Sequence, residues 1–266
     1  MDNFNVFGLK VSNFDKAELS NYYSRVFKED KNIVIYGYSF GIIPSFKKNI
    51  ELYEKCNSFD IMVIDGTYFY WFCYFFKFKV KHVISIPDIT NFTLDYANIN
   101  KLSLLLFGSN QVTNEQAASN LRKKYPNIAI LKGINGYFEE LEELNIVHKI
   151  NLLSPHIILI GISTPIKENF AFKYKDLLDT NIIIPCGGMI DVYAGKVKQT
   201  PIILKKMGFA SFFRVFQEPR RLFLKNLHIF YQICIVLLPL VLYNYYILRR
   251  RHFNMVFLYN SLTKKL

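Results

Sequence analysis

The sequence has no Gly-x-Gly-x-x-Gly, no His-Glu-x-x-His and no Asp-x-Asp. Its one Gly-Lys pair, Gly195-Lys196, lacks both the upstream glycine and the following Ser or Thr of a phosphate-binding loop. Dinucleotide-binding, Walker-type and metalloprotease readings therefore have no sequence support, and neither does a carboxylate pair holding a divalent metal on a nucleotide-sugar diphosphate. Cysteine is scarce: Cys56, Cys73, Cys186 and Cys234 are scattered with no Cys-x-x-Cys, which excludes a disulfide framework and a zinc knuckle. His82, His148, His156, His228 and His252 are isolated, so no metal site is expected. Acidic residues are the minority, 21 against 33 Lys and Arg, for a formal charge of +12 over 266 residues. That balance points to an anionic partner: nucleic acid, anionic lipid headgroups or a phosphorylated small molecule. The first residues, MDNFNVFGLKVSNFD, carry acidic groups and no long apolar core, and are not expected to act as a signal peptide.

What is present is an alternation of β-branched runs with helical periodicity, the pattern of a parallel α/β sheet. Strands are expected at Ile33–Tyr36, Ile61–Ile64, His82–Ile86, Leu102–Phe107, Ala129–Leu131, Ile157–Ile160 and Ile182–Ile184. Amphipathic helices are expected over Asp15–Phe27, Val112–Lys124 and Ile166–Leu178, opened by Asp15, by Ser109 or Thr113, and by Pro165. Strand ends followed by glycine or polar residues, as in VIDGT, LLLFGSN and LIGISTP, put these turns at the carboxyl edge of the sheet, where open α/β sheets bind ligands. The character changes near residue 200, so the chain divides into an α/β core over 1–200 and a basic appendage over 201–266. Within the appendage, about 229–248 form an uncharged apolar segment long enough to cross a membrane. Gln232, Pro239 and Asn244 interrupt it, and basic residues flank both ends, so a span, an interfacial helix and a buried helix all stay open.

Asp65 stands directly after an apolar strand, in Ile64-Asp65-Gly66-Thr67. Gly66 permits a close turn, Thr67 can cap the next helix, and a carboxylate against low-dielectric walls can serve as a general base. On these residues alone a plain Asp-Gly turn is the alternative.

The segments around it, taken in order, resemble the WecG/TagA/CpsF glycosyltransferases, glycosyltransferase family 26, over roughly residues 5–225. Asp65-Gly66 is followed by Ser85-Ile86-Pro87-Asp88-Ile89, where the family has Gly-x-Asp-Leu. Next comes LLLFGSNQVTNEQAASNLRKKYPNIAILKGINGYF, the most specific stretch. Ser163-Thr164-Pro165-Ile166-Lys167-Glu168 corresponds to Gly-x-Pro-x-Gln-Glu. Gly187-Gly188, Asp191 and Ala194-Gly195 follow, then Arg214, Glu218-Pro219, Arg220 and Arg221. The resemblance implies a Rossmann-like fold of the GT-E type and an inverting transfer from a UDP-sugar to a polyprenyl-diphosphate-linked saccharide, with no cofactor. It implies Asp65 as the base and Gly66, Gly108, Pro165, Glu168, Gly188 and Asp191 at the donor. Arg214, Arg220 and Arg221 would meet the acceptor diphosphate or the membrane. Backbone amides after Phe107 and at the helix start near Pro165 are suited to the leaving diphosphate. The expected place is the cytoplasmic face of a bacterial cell membrane, peripheral or single-span. Assembly into a homo-oligomer is permitted, and nucleic acid is not an expected partner.

The departures bear on specificity. Gly37-Tyr38-Ser39 replaces the family's Thr-x-Asn, Lys167 replaces a glutamine, Gln199-Thr200-Pro201 replaces Arg-Ala-Pro, and Ala210-Ser211 replaces Glu-Trp. They suggest a donor or acceptor other than in N-acetylmannosamine transfer, in capsule, exopolysaccharide or O-antigen assembly. The alternative is a catalytically weak subunit that binds UDP-sugar or lipid-linked glycan. The aromatic run at 68–78, YFYWFCYFFKF, is expected as helix core or membrane-facing surface.

Overall fold

The chain opens on an antiparallel hairpin, β1 (Asp2–Val6) and β2 (Leu9–Asn13), turned through Phe7 and Gly8, both at positive φ. No strand is expected here from the sequence. Asp15 then caps α1 (Lys16–Lys28) in a reciprocal capping box with Glu18, as the sequence suggests. The computed structural model describes residues 1–82 and 84–258. The core continues as β3 (Ile33–Tyr38), α2 (Ile43–Lys48), α3 (Ile50–Asn57), β4 (Ile61–Ile64), α4 (Thr67–Phe75), α5 (Ile86–Asn100), β5 (Ser103–Gly108) and α6 (Gln111–Lys124). After β6 (Ala129–Ile130) come α7 (Glu143–Leu153), β7 (Ile157–Gly161), α8 (Ile166–Tyr174), β8 (Ile182–Pro185) and α9 (Met189–Tyr193). Short helices α10 (Ile202–Lys206) and α11 (Ala210–Gln217) lead to α12 (Pro219–Tyr231) and α13 (Leu238–Leu242), with wide π-type turns at Gln232–Leu237 and Tyr243–Ile247. The second residue of α13, Pro239, has no N–H to give the preceding turn, which accounts for the local slip in the hydrogen-bond ladder.

Six strands form one parallel sheet in the order β4-β3-β8-β7-β5-β6. The central runs Ile33–Tyr36, Ile61–Ile64, Leu104–Phe107, Ile157–Ile160 and Ile182–Ile184 are buried throughout, because helices cover both faces. One core cluster gathers α2, α3, α4 and α8 with Tyr36, Phe107 and Ile160; the other gathers α1, α5, α6 and α9 with Ile35, Leu106 and Leu159. Cys56, Cys73 and Cys186 are buried core residues.

Three expectations are corrected. The run His82–Ile86 is not a strand where it is described: Ser85 and Asp88 form a capping box, Pro87 sits in the first turn, and Ile86 opens α5; Val83 lies outside the described residues. Asn110, not Ser109 or Thr113, caps α6, accepting the Thr113 amide at 2.8 Å while Ser109 turns at positive φ. Thr67 makes no cap either, since Gly66 occupies the cap position at φ +105° and the Thr67 hydroxyl donates to the Lys205 carbonyl at 2.6 Å.

Candidate active site

Adjacent strands β3 and β8 send their next helices to opposite faces, α2 and α3 to one and α9 to the other. A crevice therefore opens at their carboxyl ends, the usual ligand position of an open parallel sheet. Asp65 borders it from β4, its amide donating to the Tyr38 carbonyl at 2.7 Å. The Ile86 amide, at the start of α5, donates to Asp65 Oδ1 at 3.3 Å. Gly37 faces this pair. A methyl group there would come within 2.4 Å of the Ile86 side chain and 3.1 Å of Asp65 Cβ, so an isoleucine fills the space a larger residue would need.

Asp65 keeps some accessible surface, yet protein crowds its carboxyl on most sides. Burial pushes its pKa up, the Ile86 amide and the positive charges of Lys205 and Arg214 pull it partly back, and the Asp88 charge opposes them. Both cations come from the basic segment after residue 200. Lys205 on α10 donates to the Ser85 hydroxyl at 2.7 Å and pairs with Asp88. Burial alone would raise Asp88, but the bonds from Lys205 and from Ser85 outweigh it and hold the carboxyl below the ordinary range. Arg214 on α11 lies over the other wall: a methyl group on Gly188 would sit 3.0 Å from its guanidinium. It makes a long contact to Glu218, 3.9 Å, and its buried Nε has no partner among the described residues.

Across the crevice, the Ser109 hydroxyl donates to Asp191 Oδ1 at 3.0 Å, tying the end of β5 to α9. Close backbone approach dictates glycine here. Carbon added to Gly108 would lie 2.5 Å from the Gly161 backbone, and carbon added to Gly136 would lie 2.6 Å from Gly108 Cα. Of the amides suggested for the leaving diphosphate, those nearest the strand ends are already engaged. Gly108 N–H donates to the Ile134 carbonyl at 2.9 Å, Ser109 N–H to Gly161 at 3.2 Å, and Ile166 N–H to Ser163 at 3.0 Å. Among the described residues, the first-turn amides of α6 ahead of Thr113 and the cations Lys205 and Arg214 are the donors left at this edge.

The expected residues do not all converge. Asp65, Gly66, Gly108, Gly188, Asp191 and Arg214 stand at the carboxyl edge, and Pro165 is exposed at the start of α8. Glu168 is fully buried: Oε1 accepts the Tyr36 and Thr164 hydroxyls, each at 2.9 Å, and pairs with Lys167, while Oε2 has no partner among the described residues. Burial, and then the Glu168 charge, hold the Tyr36 hydroxyl protonated. Arg220 is exposed on the first turn of α12, and the side chain of Arg221 lies outside the described residues. Sequence reasoning missed Lys205, Ser109 and Thr67 as parts of the site. Reading a strand there passes over the Ser85-x-x-Asp88 capping box, and its long-range cation is missed with it.

A parallel sheet with a carboxylate and two cations gathered at its carboxyl edge is the build of an α/β fold with a ligand crevice there. The chain belongs to the glycosyl transferase WecG/TagA/CpsF family, whose model matches residues 4–243. Its relatives include the N-acetylglucosaminyldiphosphoundecaprenol N-acetyl-beta-D-mannosaminyltransferases of Staphylococcus aureus strains MRSA252 and COL. Each is 27% identical over 178 residues, covering 66% of this chain and 69% of the relative.

Proposed function

We propose that this protein moves a hexose or N-acetylhexosamine-type sugar, with inversion, from a UDP-sugar to a polyprenyl-diphosphate-linked saccharide in cell-surface polysaccharide synthesis. The observation that carries the reading is Asp65: a carboxylate with a raised pKa at the sheet's ligand edge, flanked by Lys205 and Arg214, in a member of this family. Asp65 removes the proton from the acceptor hydroxyl as that oxygen bonds to the anomeric carbon. The bond from that carbon to the diphosphate oxygen breaks, and UDP leaves on the opposite face with the electron pair. The Nε–H of Arg214, without a partner among the described residues, supports a phosphate contact, since a guanidinium pairs well with phosphate oxygens. Asp191, held by Ser109, accepts a hydroxyl of the donor. Glu168 acts at one remove, fixing the exposed Thr164 and the buried Lys167 at the start of α8. The protein works on the cytoplasmic face of the cell membrane, where such an acceptor is embedded.

Binding without turnover is the second reading. Gly37 favours it, because the place beside Asp65 is filled by an Ile86 side chain rather than by a polar group. UDP release by detergent-purified protein, given a panel of UDP-sugars with native lipid extract, separates the two. Acceptor-dependent release with one donor supports transfer, whereas saturable UDP binding with no release for any donor supports the second reading.

A further inference from the structure

The apolar stretch Leu222–Ile247 is one helix of 26 residues, about 39 Å at 1.5 Å per residue, long enough for a hydrocarbon core of about 30 Å. Its two ends, however, are held by the same α/β domain. Near the start, Arg214 rests on Gly188 and Ile229 packs over Gly41. In the middle, Leu237 and Val241 are buried in the core cluster with Phe72 and Phe76. Toward the end, Tyr245 meets Phe76 edge-on at 5.0 Å. Beyond it the chain returns to the hairpin turn: Phe253 stacks on Phe7 at 4.4 Å, the Met255 amide donates to the Phe7 carbonyl at 2.8 Å, and Asn254 bonds the Tyr53 hydroxyl. Met255 and Val256 are fully buried. A helix crossing a bilayer would put these residues on the far side from the domain that buries them.

From Phe230 onward the outward stripe is as apolar as the packed one, while Lys225 and His228 are exposed in the turns before it. Leu224, Phe230, Ile235 and Ile247 are exposed, and Phe75 of α4, itself exposed beside Tyr74, meets Tyr246 at 6.2 Å. Asn244 is buried toward the domain and satisfies its amide on the Leu240 carbonyl, so it does not interrupt the outward face. A helix segment apolar all round, as this one is from Phe230 on, needs a second apolar partner. The charges beside it choose the partner: Lys77, Arg249 and Arg251 line a groove with Phe75, Tyr245 and Tyr246 at one end of the helix, and from residue 201 onward Glu218 is the only acidic residue in the chain.

We infer that this helix and the exposed edge of α4 insert together into one leaflet of an anionic bilayer without crossing it. The Lys77, Arg249 and Arg251 groove then lies at the phosphates of the lipid headgroups. The inference rests on the membrane placement proposed above, and its test separates the two. The full chain with a C-terminal epitope tag is expressed in bacteria, and protease is added to spheroplasts and to inverted membrane vesicles. Tag and α/β domain cut together in inverted vesicles, and both protected in spheroplasts, is the expected result. A tag cut from outside in spheroplasts while the domain stays protected overturns the single-leaflet inference and leaves membrane placement standing. A chain that is not retained on membranes at all, whether monomer or self-associated, overturns both. A second measurement uses vesicles of phosphatidylglycerol or phosphatidylcholine. Replacing Lys77, Arg249 and Arg251 together by Gln should weaken partitioning onto the anionic vesicles on the order of 100-fold, with little change on the neutral ones. Unchanged partitioning onto phosphatidylglycerol overturns the headgroup role of the groove.

Discussion

Replacing Lys205 by Met tests the link between the basic segment and the candidate base in two independent readouts. The substitution keeps the aliphatic stem and removes the ammonium that bridges the Ser85 hydroxyl and Asp88. A charge-assisted bond of this kind is worth about 1.5–3 kcal/mol when dry, and an exposed pair about 0–1. The Lys205 and Asp88 side chains are 26% and 38% exposed, so their coupling should fall near ~1 kcal/mol. Urea unfolding of wild type, Lys205→Met, Asp88→Asn and the double variant yields that coupling as a cycle. Its pH dependence has a defined sign. Asp88 is held below its ordinary value in the fold, so its contribution is present above the unfolded value near about 4 and fades as pH falls through the lower folded one. The stability gap between wild type and Lys205→Met should therefore close on acidification. The same substitution takes away a charge that lowers Asp65, so the acid limb of the turnover profile should move to higher pH. A coupling indistinguishable from zero with an unmoved acid limb would refute the reasoning.

Two further substitutions test the frame of the site. Gly161→Ala places a methyl group 2.5 Å from Ile190 Cδ1 and 3.1 Å from the Gly187 carbonyl; the chemical-denaturation midpoint should drop by the equivalent of about 1–3 kcal/mol, with weaker UDP binding by calorimetry. Tyr36→Phe removes one of the hydroxyls on the buried Glu168 Oε1 and should cost about 1–3 kcal/mol of stability in the same assay, with UDP affinity nearly unchanged if Glu168 serves by holding Thr164 and Lys167.

The parallel sheet was legible because strands covered on both faces must be apolar at every position, as in Ile61–Ile64 and Ile182–Pro185. The hairpin at Asp2–Asn13 was not, since Asn3 and Asn5 alternate with only two apolar residues and its turn is Phe7-Gly8 rather than Asn-Gly. At Ser85 the apolar run suggested a strand, and the capping box with Asp88 decided for a helix. Asp65 was legible from its place after β4. The two cations near it were not equally so: Arg214 followed from the family's motif, whereas Lys205 reads only as part of a basic appendage and meets Asp88 through the fold. Nor does spacing reveal that Glu168 is sealed beneath Tyr36 and Lys167.

The central claim is that Asp65 is the base of a sugar transfer, and Asp65→Asn measures it most directly. The carboxamide oxygen of the variant can still accept the Ile86 amide, and there is no longer a charge to bury. Because the folded pKa of Asp65 is raised, wild-type stability falls as pH climbs from the unfolded value through the folded one, and the variant is spared that loss. It should therefore melt no lower than wild type at neutral pH. UDP release with the authentic donor and lipid-linked acceptor should fall about 10²–10⁴-fold, the range expected of a general base, while UDP affinity holds. Release within a few-fold of wild type, from a folded variant, would contradict the account.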